Sequence, residues 1–259
     1  MKKCLTHGLW HDVEDRPVDP PRRLIPRLAF NALVKPSLEK KARRASLQAK
    51  IEGRTWPEFA HTMIGYGRLD NIEACVRTAL DEGVPGDLIE TGVWRGGACI
   101  FMRAILAAYG VTDRTVWVAD SFRGLPPPDL EKAPQDKGDN LHKHAALAVS
   151  LSQVQANFKS YGLLDDQVRF LEGWFRDTLP SAPVQRLAVA RLDGDMYEST
   201  MDALESLYPK LSPGGFLIVD DYNDREPCKQ AVQDYRKRHG IVEKIVDIDW
   251  SGAFWRRGK

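Results

Sequence analysis

Asp87-Leu-Ile-Glu-Thr-Gly-Val-Trp-Arg-Gly-Gly97 decides the architecture. Its first five residues form a short apolar run stopped by Gly92, and the run follows a stretch of helical periodicity over 71–82. A helix feeding a buried strand is the repeating unit of an α/β sheet. Working outward, the same alternation predicts a helix over 97–109, a strand over 115–119, a helix over 145–159 and a strand over 167–171. It continues with a strand over 187–192, a helix over 199–211, a strand over 216–219 and a helix over 227–238. Strands alternating with helices imply a doubly wound α/β fold, a parallel sheet with helices on both faces. The tail breaks the pattern. Two strand-like runs, 242–248 and 253–255, flank a turn at Ser251-Gly252 and predict a C-terminal hairpin, which makes a mostly parallel seven-stranded sheet with an antiparallel end.

The chain has 259 residues, 43% of them hydrophobic, enough to bury a sizeable core as one main domain. Lys and Arg total 37 against 36 Asp and Glu, and this balance argues against nucleic acid or an anionic membrane as partner and for a small-molecule substrate. Cys4, Cys75, Cys99 and Cys228 lack CxxC spacing, so neither a disulfide framework nor a zinc knuckle is expected. There is no signal-peptide h-region and no apolar run of about 18 residues, which reads as a cytoplasmic protein. Residues 1–60 are irregular, with prolines and basic clusters such as Lys40-Lys-Ala-Arg-Arg that a solvated helix face explains, and they read as an accessory segment before a domain over 61–259. The long polar stretch from Ser121 to about 145, with Leu125-Pro-Pro-Pro-Asp inside it, follows a strand end and reads as a lid.

Ligands of open α/β sheets bind beyond the carboxyl ends of the strands, where strand order reverses. After the first strand, Glu90 stands at the end, Gly92 at the turn and Gly96-Gly97 where the next helix begins. Glycines there allow close backbone approach to a ligand. The spacing is not G-x-G-x-x-G, since position 94 is Trp94, and this counts against a nicotinamide cofactor. The second strand ends in Asp120, thirty positions beyond Glu90 and placed to accept both hydroxyls of a ribose. The third ends in Glu172-Gly173-Trp174-Phe175, whose aromatics suit stacking on adenine and packing on the sheet equally well.

Two further strand ends carry acids: Asp193-Gly-Asp195 and Asp220-Asp221. If these strands are neighbours, Asp193, Asp220 and Asp221 converge, and like charges so close need a cation or a proton between them. Helix capping accounts for one acid per strand end and not for clustered pairs. An all-oxygen site suits a hard ion, Mg²⁺ or alternatively Mn²⁺, rather than zinc. Such an ion lowers the pKa of a bound hydroxyl, and Asp195, two residues from Asp193, is the expected general base; His142 and His144 are rivals if the lid folds over the site.

Taken in order, Glu90-Thr-Gly-Val-Trp-Arg-Gly-Gly, Ala119-Asp-Ser-Phe-Arg-Gly-Leu-Pro, Leu192-Asp-Gly-Asp-Met-Tyr-Glu-Ser-Thr and Val219-Asp-Asp-Tyr resemble the macrocin O-methyltransferase family of antibiotic-tailoring enzymes. The resemblance runs from about Thr62 to the carboxyl terminus and implies a Rossmann-like methyltransferase fold using S-adenosylmethionine and Mg²⁺ on a deoxysugar hydroxyl of a glycosylated natural product. It implies a cofactor set of Thr62, Met63, Glu90, Thr91, Gly92, Arg95, Gly96, Asp120, Ser121, Gly173, Trp174 and Asp193. It also implies a metal on Asp193, Asp220 and Asp221 with Asp195 as base, an acceptor pocket shaped partly by residues 1–60, and a homodimer. A metal-dependent methyltransferase of catechols or other phenols, and a cofactor-binding module or assembly subunit without catalysis, are the competing expectations.

Overall fold

The computed structural model describes residues 1–6 and 47–258. Seven strands form one sheet: β1 (Asp87–Thr91), β2 (Val116–Asp120), β3 (Val168–Glu172), β4 (Leu187–Leu192), β5 (Leu211–Val219), β6 (Val246–Asp247) and β7 (Ala253–Arg256). The order is β3-β2-β1-β4-β5-β7-β6, parallel from β3 to β5 and antiparallel where β7 pairs with β5 and with β6. The doubly wound sheet with its C-terminal hairpin is therefore as the sequence implies. The helices are α1 (Tyr66–Asp81), α2 (Gly97–Ala108), α3 (Leu151–Ser160), α4 (Phe175–Thr178), α5 (Tyr197–Leu207) and α6 (Glu226–Arg238), with a single helical turn at Lys2–Leu5.

Parallel strands covered on both faces must be apolar at successive positions, which is why the strands read as continuous runs. Leu88, Val116 and Val118 pack on one face with Ile72, Ile100 and Phe158. Their neighbours Ile89, Trp117 and Ala119 pack on the other with Leu204, Val232 and Trp255. Strand order reverses between β1 and β4, and the register aligns Thr91 with Leu192 and Leu192 with Val219. The next residues, Gly92, Asp193 and Asp220, thus share one row along the carboxyl edge.

Departures from the sequence pattern are local. The helix expected from 145 begins at Leu151, because 145–147 is a 3₁₀ turn and Ser150 caps α3 by accepting the Gln153 N–H. α5 ends at Leu207, two residues before Pro209, and β5 starts at Leu211 rather than 216. The outer hairpin strand is only Val246–Asp247. The segment expected to form a lid is ordered by three 3₁₀ turns at Pro134–Asp136, Leu141–Lys143 and Ala145–Leu147. Most of the expected accessory segment lies outside the described residues; of the rest, Leu5 is fully buried in the core and its carbonyl accepts the His61 N–H at 2.8 Å. No helix among the described residues is long and apolar enough to cross a membrane.

The β1 turn depends on glycine. Gly92 has φ 81°, and a Cβ there would collide with the Asp193 carbonyl oxygen, whereas Gly83 has φ 64° with nothing within 4 Å of a Cβ. Gly83→Ala is expected to cost about 1–2 kcal/mol, the left-handed backbone penalty alone. Gly92→Ala should cost about 3 kcal/mol or more, since the collision adds to that penalty. Equal losses in urea denaturation would show that the β1–β4 approach is not the constraint described.

Candidate active site

The backbone lays out the carboxyl edge before any side chain contributes. Gly92 N–H donates to Ala119 O, Asp193 N–H to Thr91 O and Asp220 N–H to Leu192 O, each at 2.9 Å. Asp120 closes the first turn by accepting the N–H groups of Val93 at 2.8 Å and Phe122 at 2.7 Å. Burial raises its pKa and these backbone donors partly offset the rise. Its Oδ1 also lies 3.4 Å from the Ser121 hydroxyl.

Asp193, Asp195 and Asp221 each place a carboxylate oxygen within 4.8 Å of the others. Asp195 takes a left-handed backbone, φ 56°, and donates its N–H to an Asp221 carboxylate oxygen at 3.0 Å. Burial, then repulsion by neighbouring acids, lifts Asp193 and Asp221 well above the ordinary carboxylate range. Burial lifts Asp195 to about 7 against the opposing pull of Arg225, whose Nε lies 3.4 Å away.

Two buried arginines, Arg191 and Arg68, complete the edge, and neither was singled out from the sequence. Arg191, 1% exposed, donates to Glu90, to Asp193 at 2.9 Å and to Asp220. Arg68 donates to the other Asp220 oxygen at 2.5 Å, to Asp249 at 3.1 Å and to Gly53 O at 3.2 Å. Of the expected metal set, the structure brings Asp193 and Asp221 together with Asp195, while Asp220 sits beside them between the two guanidinium groups. Arg68, Arg191 and Arg225 pair with five carboxylates, those of Glu90, Asp193, Asp195, Asp220 and Asp249, and Asp221 adds a sixth beside them through the Asp195 N–H. The excess is negative, so the donor set fits a hard divalent cation. A legible signal for Arg191 existed: one arginine inside the otherwise apolar Leu187-Ala-Val-Ala-Arg-Leu192 run.

Two clefts, with about 770 and 860 Å³ of space including their open mouths, meet at this edge. The first runs past Asp120, Ser121, Leu125, Trp174 and Glu198. The second runs past Arg54, Trp56, Arg68, Asp221 and Trp250. Met63, Gly92, Trp94, Leu147, Asp193 and Asp195 line both. Among the expected cofactor residues, Met63, Gly92, Asp120, Ser121, Trp174 and Asp193 line the first cleft, and Thr62 and Glu90 only the second. Thr91, Arg95, Gly96 and Gly173 line neither. The Arg95 side chain holds the carbonyls of Glu58 at 2.7 Å and Ala60 at 2.8 Å, and Gly96, the N-cap of α2, has φ 83°. His142 and His144 are not among the lining residues of either cleft, and His144 packs edge-on against Trp56.

The family described as macrocin-O-methyltransferase matches residues 1–257. A tetracenomycin-C 4'-O-methyltransferase from Streptomyces olivaceus, whose name specifies a 2,3-dimethoxy-alpha-L-rhamnosyl group, is 62% identical over 208 residues, 80% of this chain and 79% of the relative. Mycinamicin III 3''-O-methyltransferase from Micromonospora griseorubida is 58% identical over 81% of this chain and 84% of its own. The solved structure of the O-methyltransferase NovP is 55% identical, covering 82% of this chain and 88% of that one, with a TM-score of 0.81.

The carboxylate cluster has a consequence for stability. Unfolded, Asp193, Asp195 and Asp221 titrate near an ordinary value of about 3.9. Their folded pKa values are higher, so between about pH 4 and 7 the native chain binds more protons than the unfolded one and stability falls as pH rises. Thermal melts in chelator from about pH 5 to pH 8 should show this decline, with a shallower slope for Asp195→Asn. An unchanged slope in the variant would remove Asp195 from the account.

Proposed function

The chain belongs to the macrocin O-methyltransferase family, and on that premise we propose that it moves a methyl group from S-adenosylmethionine to a sugar hydroxyl of a glycosylated natural product, with a divalent cation and Asp195 as general base. The O-methyltransferase relatives support the reaction, and the rhamnosyl group named in one of them supports the acceptor class. One observation carries the mechanism: Asp193 and Asp195 line both clefts, so donor and acceptor sides meet at the carboxylate cluster.

In this reading the first cleft takes the methyl donor. Asp120 accepts the ribose hydroxyls, and Trp174 offers an aromatic face to the adenine. Gly92, lacking a Cβ, lets the backbone approach the donor where the clefts join. S-adenosylmethionine supplies an electrophilic methyl on a sulfonium. The acceptor enters the second cleft, where Trp56, Trp250 and the stem of Arg54 form an amphipathic wall suited to a sugar ring.

Asp193 and Asp221, with Asp220 in the same row, would hold Mg²⁺ or Mn²⁺, which lowers the pKa of an acceptor hydroxyl bound there. Asp220 can share in this because each oxygen keeps a lone pair beside its arginine bond. Asp195 then removes the hydroxyl proton as the oxygen attacks the methyl carbon and the carbon–sulfur bond breaks. Without a cation beside Asp195, burial lifts its carboxyl to about 7, and a bound cation would draw that value down toward the ionised, proton-accepting form. Arg225, 3.4 Å away, opposes a further rise.

EDTA is expected to abolish turnover and Mg²⁺ to restore it. Asp195→Asn should lower kcat by about 10²–10⁴-fold while S-adenosylmethionine affinity, measured by calorimetry, stays near wild type. Full activity in chelator would refute the metal, and near-normal turnover of the variant would refute the base. In an acceptor screen, methylation of catechols without any glycosylated acceptor would overturn the sugar assignment.

A further inference from the structure

Asp136 lies within the lid yet is only 1% exposed. Its two carboxylate oxygens accept the N–H groups of Tyr197 at 2.6 Å and Glu198 at 3.1 Å, the first two residues of α5. Among the described residues no salt bridge reaches it, and the two N–H groups with the helix dipole offset part of the cost of burial, which still raises its pKa. The helix needs an acceptor from outside, because its own cap residue Met196 provides no side-chain hydrogen bond. Asp136 therefore caps a helix sixty residues further along the chain. Lys132 adds a weaker tie from the same lid to Glu198, at 3.9 Å.

The capped turn follows directly after Asp195. That residue is in the left-handed region, and its N–H is fixed by Asp221 at 3.0 Å. Asp221 thus holds Asp195 from the sheet side, and Asp136 holds the backbone that leaves it. The same lid contributes Leu125, Pro126 and Leu147 to the clefts. We propose that Asp136 is a positioning residue that ties the seating of the lid to the placement of Asp195, so that a closed donor cleft and an aligned base come about together. The inference rests on the role proposed above for Asp195, but the lid half of it is read without any acceptor.

The test is Asp136→Ala, compared with wild type by hydrogen–deuterium exchange over 122–147 and 196–199, by calorimetry with S-adenosylhomocysteine, and by steady-state kinetics. We expect lid exchange to rise tenfold or more, S-adenosylhomocysteine affinity to fall several-fold, and kcat to fall at least tenfold at saturating substrates. Asp136→Asn keeps one acceptor oxygen and is expected to fold; in it lid exchange and kcat shift together by about two- to threefold, the partial rescue that positioning requires. A lower melting temperature with lid exchange and kcat at wild-type values would make Asp136 a helix cap only and overturn the proposal. If wild type turns over no sugar acceptor, exchange and calorimetry still read the lid, so failure of the proposed function and failure of this inference are distinguishable.

Discussion

The carboxyl edge of the sheet depends on one buried guanidinium. Arg191 emerges from β4 and joins Glu90 on β1, Asp193 at the end of its own strand and Asp220 at the end of β5. A planar group with five donors can span three strands in this way, where an ammonium would act as a single point of charge. Desolvating so many charges is expensive and their mutual attraction at best repays it, so the network is no source of stability in itself. Its value lies in geometry. Without Arg191, Glu90, which is 2% exposed, would lose its cation, and Asp220, which is 5% exposed, would keep Arg68 alone.

Arg191 and Arg68 neutralise only part of the acid they face, and that shortfall separates a structural network from a functional one. A fold selected only for stability would replace Asp193, Asp195 and Asp221 with smaller or apolar groups. It would not lift all three carboxyls above their ordinary range. Such local violations of folding preference are expected where a site must bind charge. The left-handed backbone at Asp195 is a second violation in the same place, one that the Asp221 hydrogen bond holds.

The sequence revealed the strands because burial on both faces leaves continuous apolar runs that end at charged residues. The limits of β4, Leu187–Leu192, were legible to the residue for this reason. It revealed Asp120, Asp193, Asp195, Asp220 and Asp221 because acids after apolar strands are conspicuous. It did not reveal that Asp220 would meet Arg68, since that contact joins residues 152 positions apart and nothing local in either segment records it. The lid was legible as a loop but not as an ordered one: Asp136 looks like any polar loop residue until α5 is placed beside it. The Arg95 side chain holds the 57–60 segment, a contact set by packing that no motif encodes.

In the proposed reaction, chemistry and selectivity are divided between different parts of the chain. The acids assigned to the metal and to the base follow strand ends, where in-register pairing with two neighbours leaves little freedom. The cleft walls come from 53–56, from the lid and from Trp250 near the hairpin, all outside the parallel strands. Arg68 joins the two parts, because one guanidinium holds Asp220 at the strand end and the Gly53 carbonyl in the wall. Trp250 closes the same loop through its indole N–H on Glu52 O at 2.8 Å. Walls built this way can change in shape and polarity while the strand-end acids keep their spacing, provided that the Arg68 contacts persist. Substitutions that alter acceptor preference should therefore concentrate in these walls, and those that abolish the reaction should concentrate along the row of Gly92, Asp193 and Asp220.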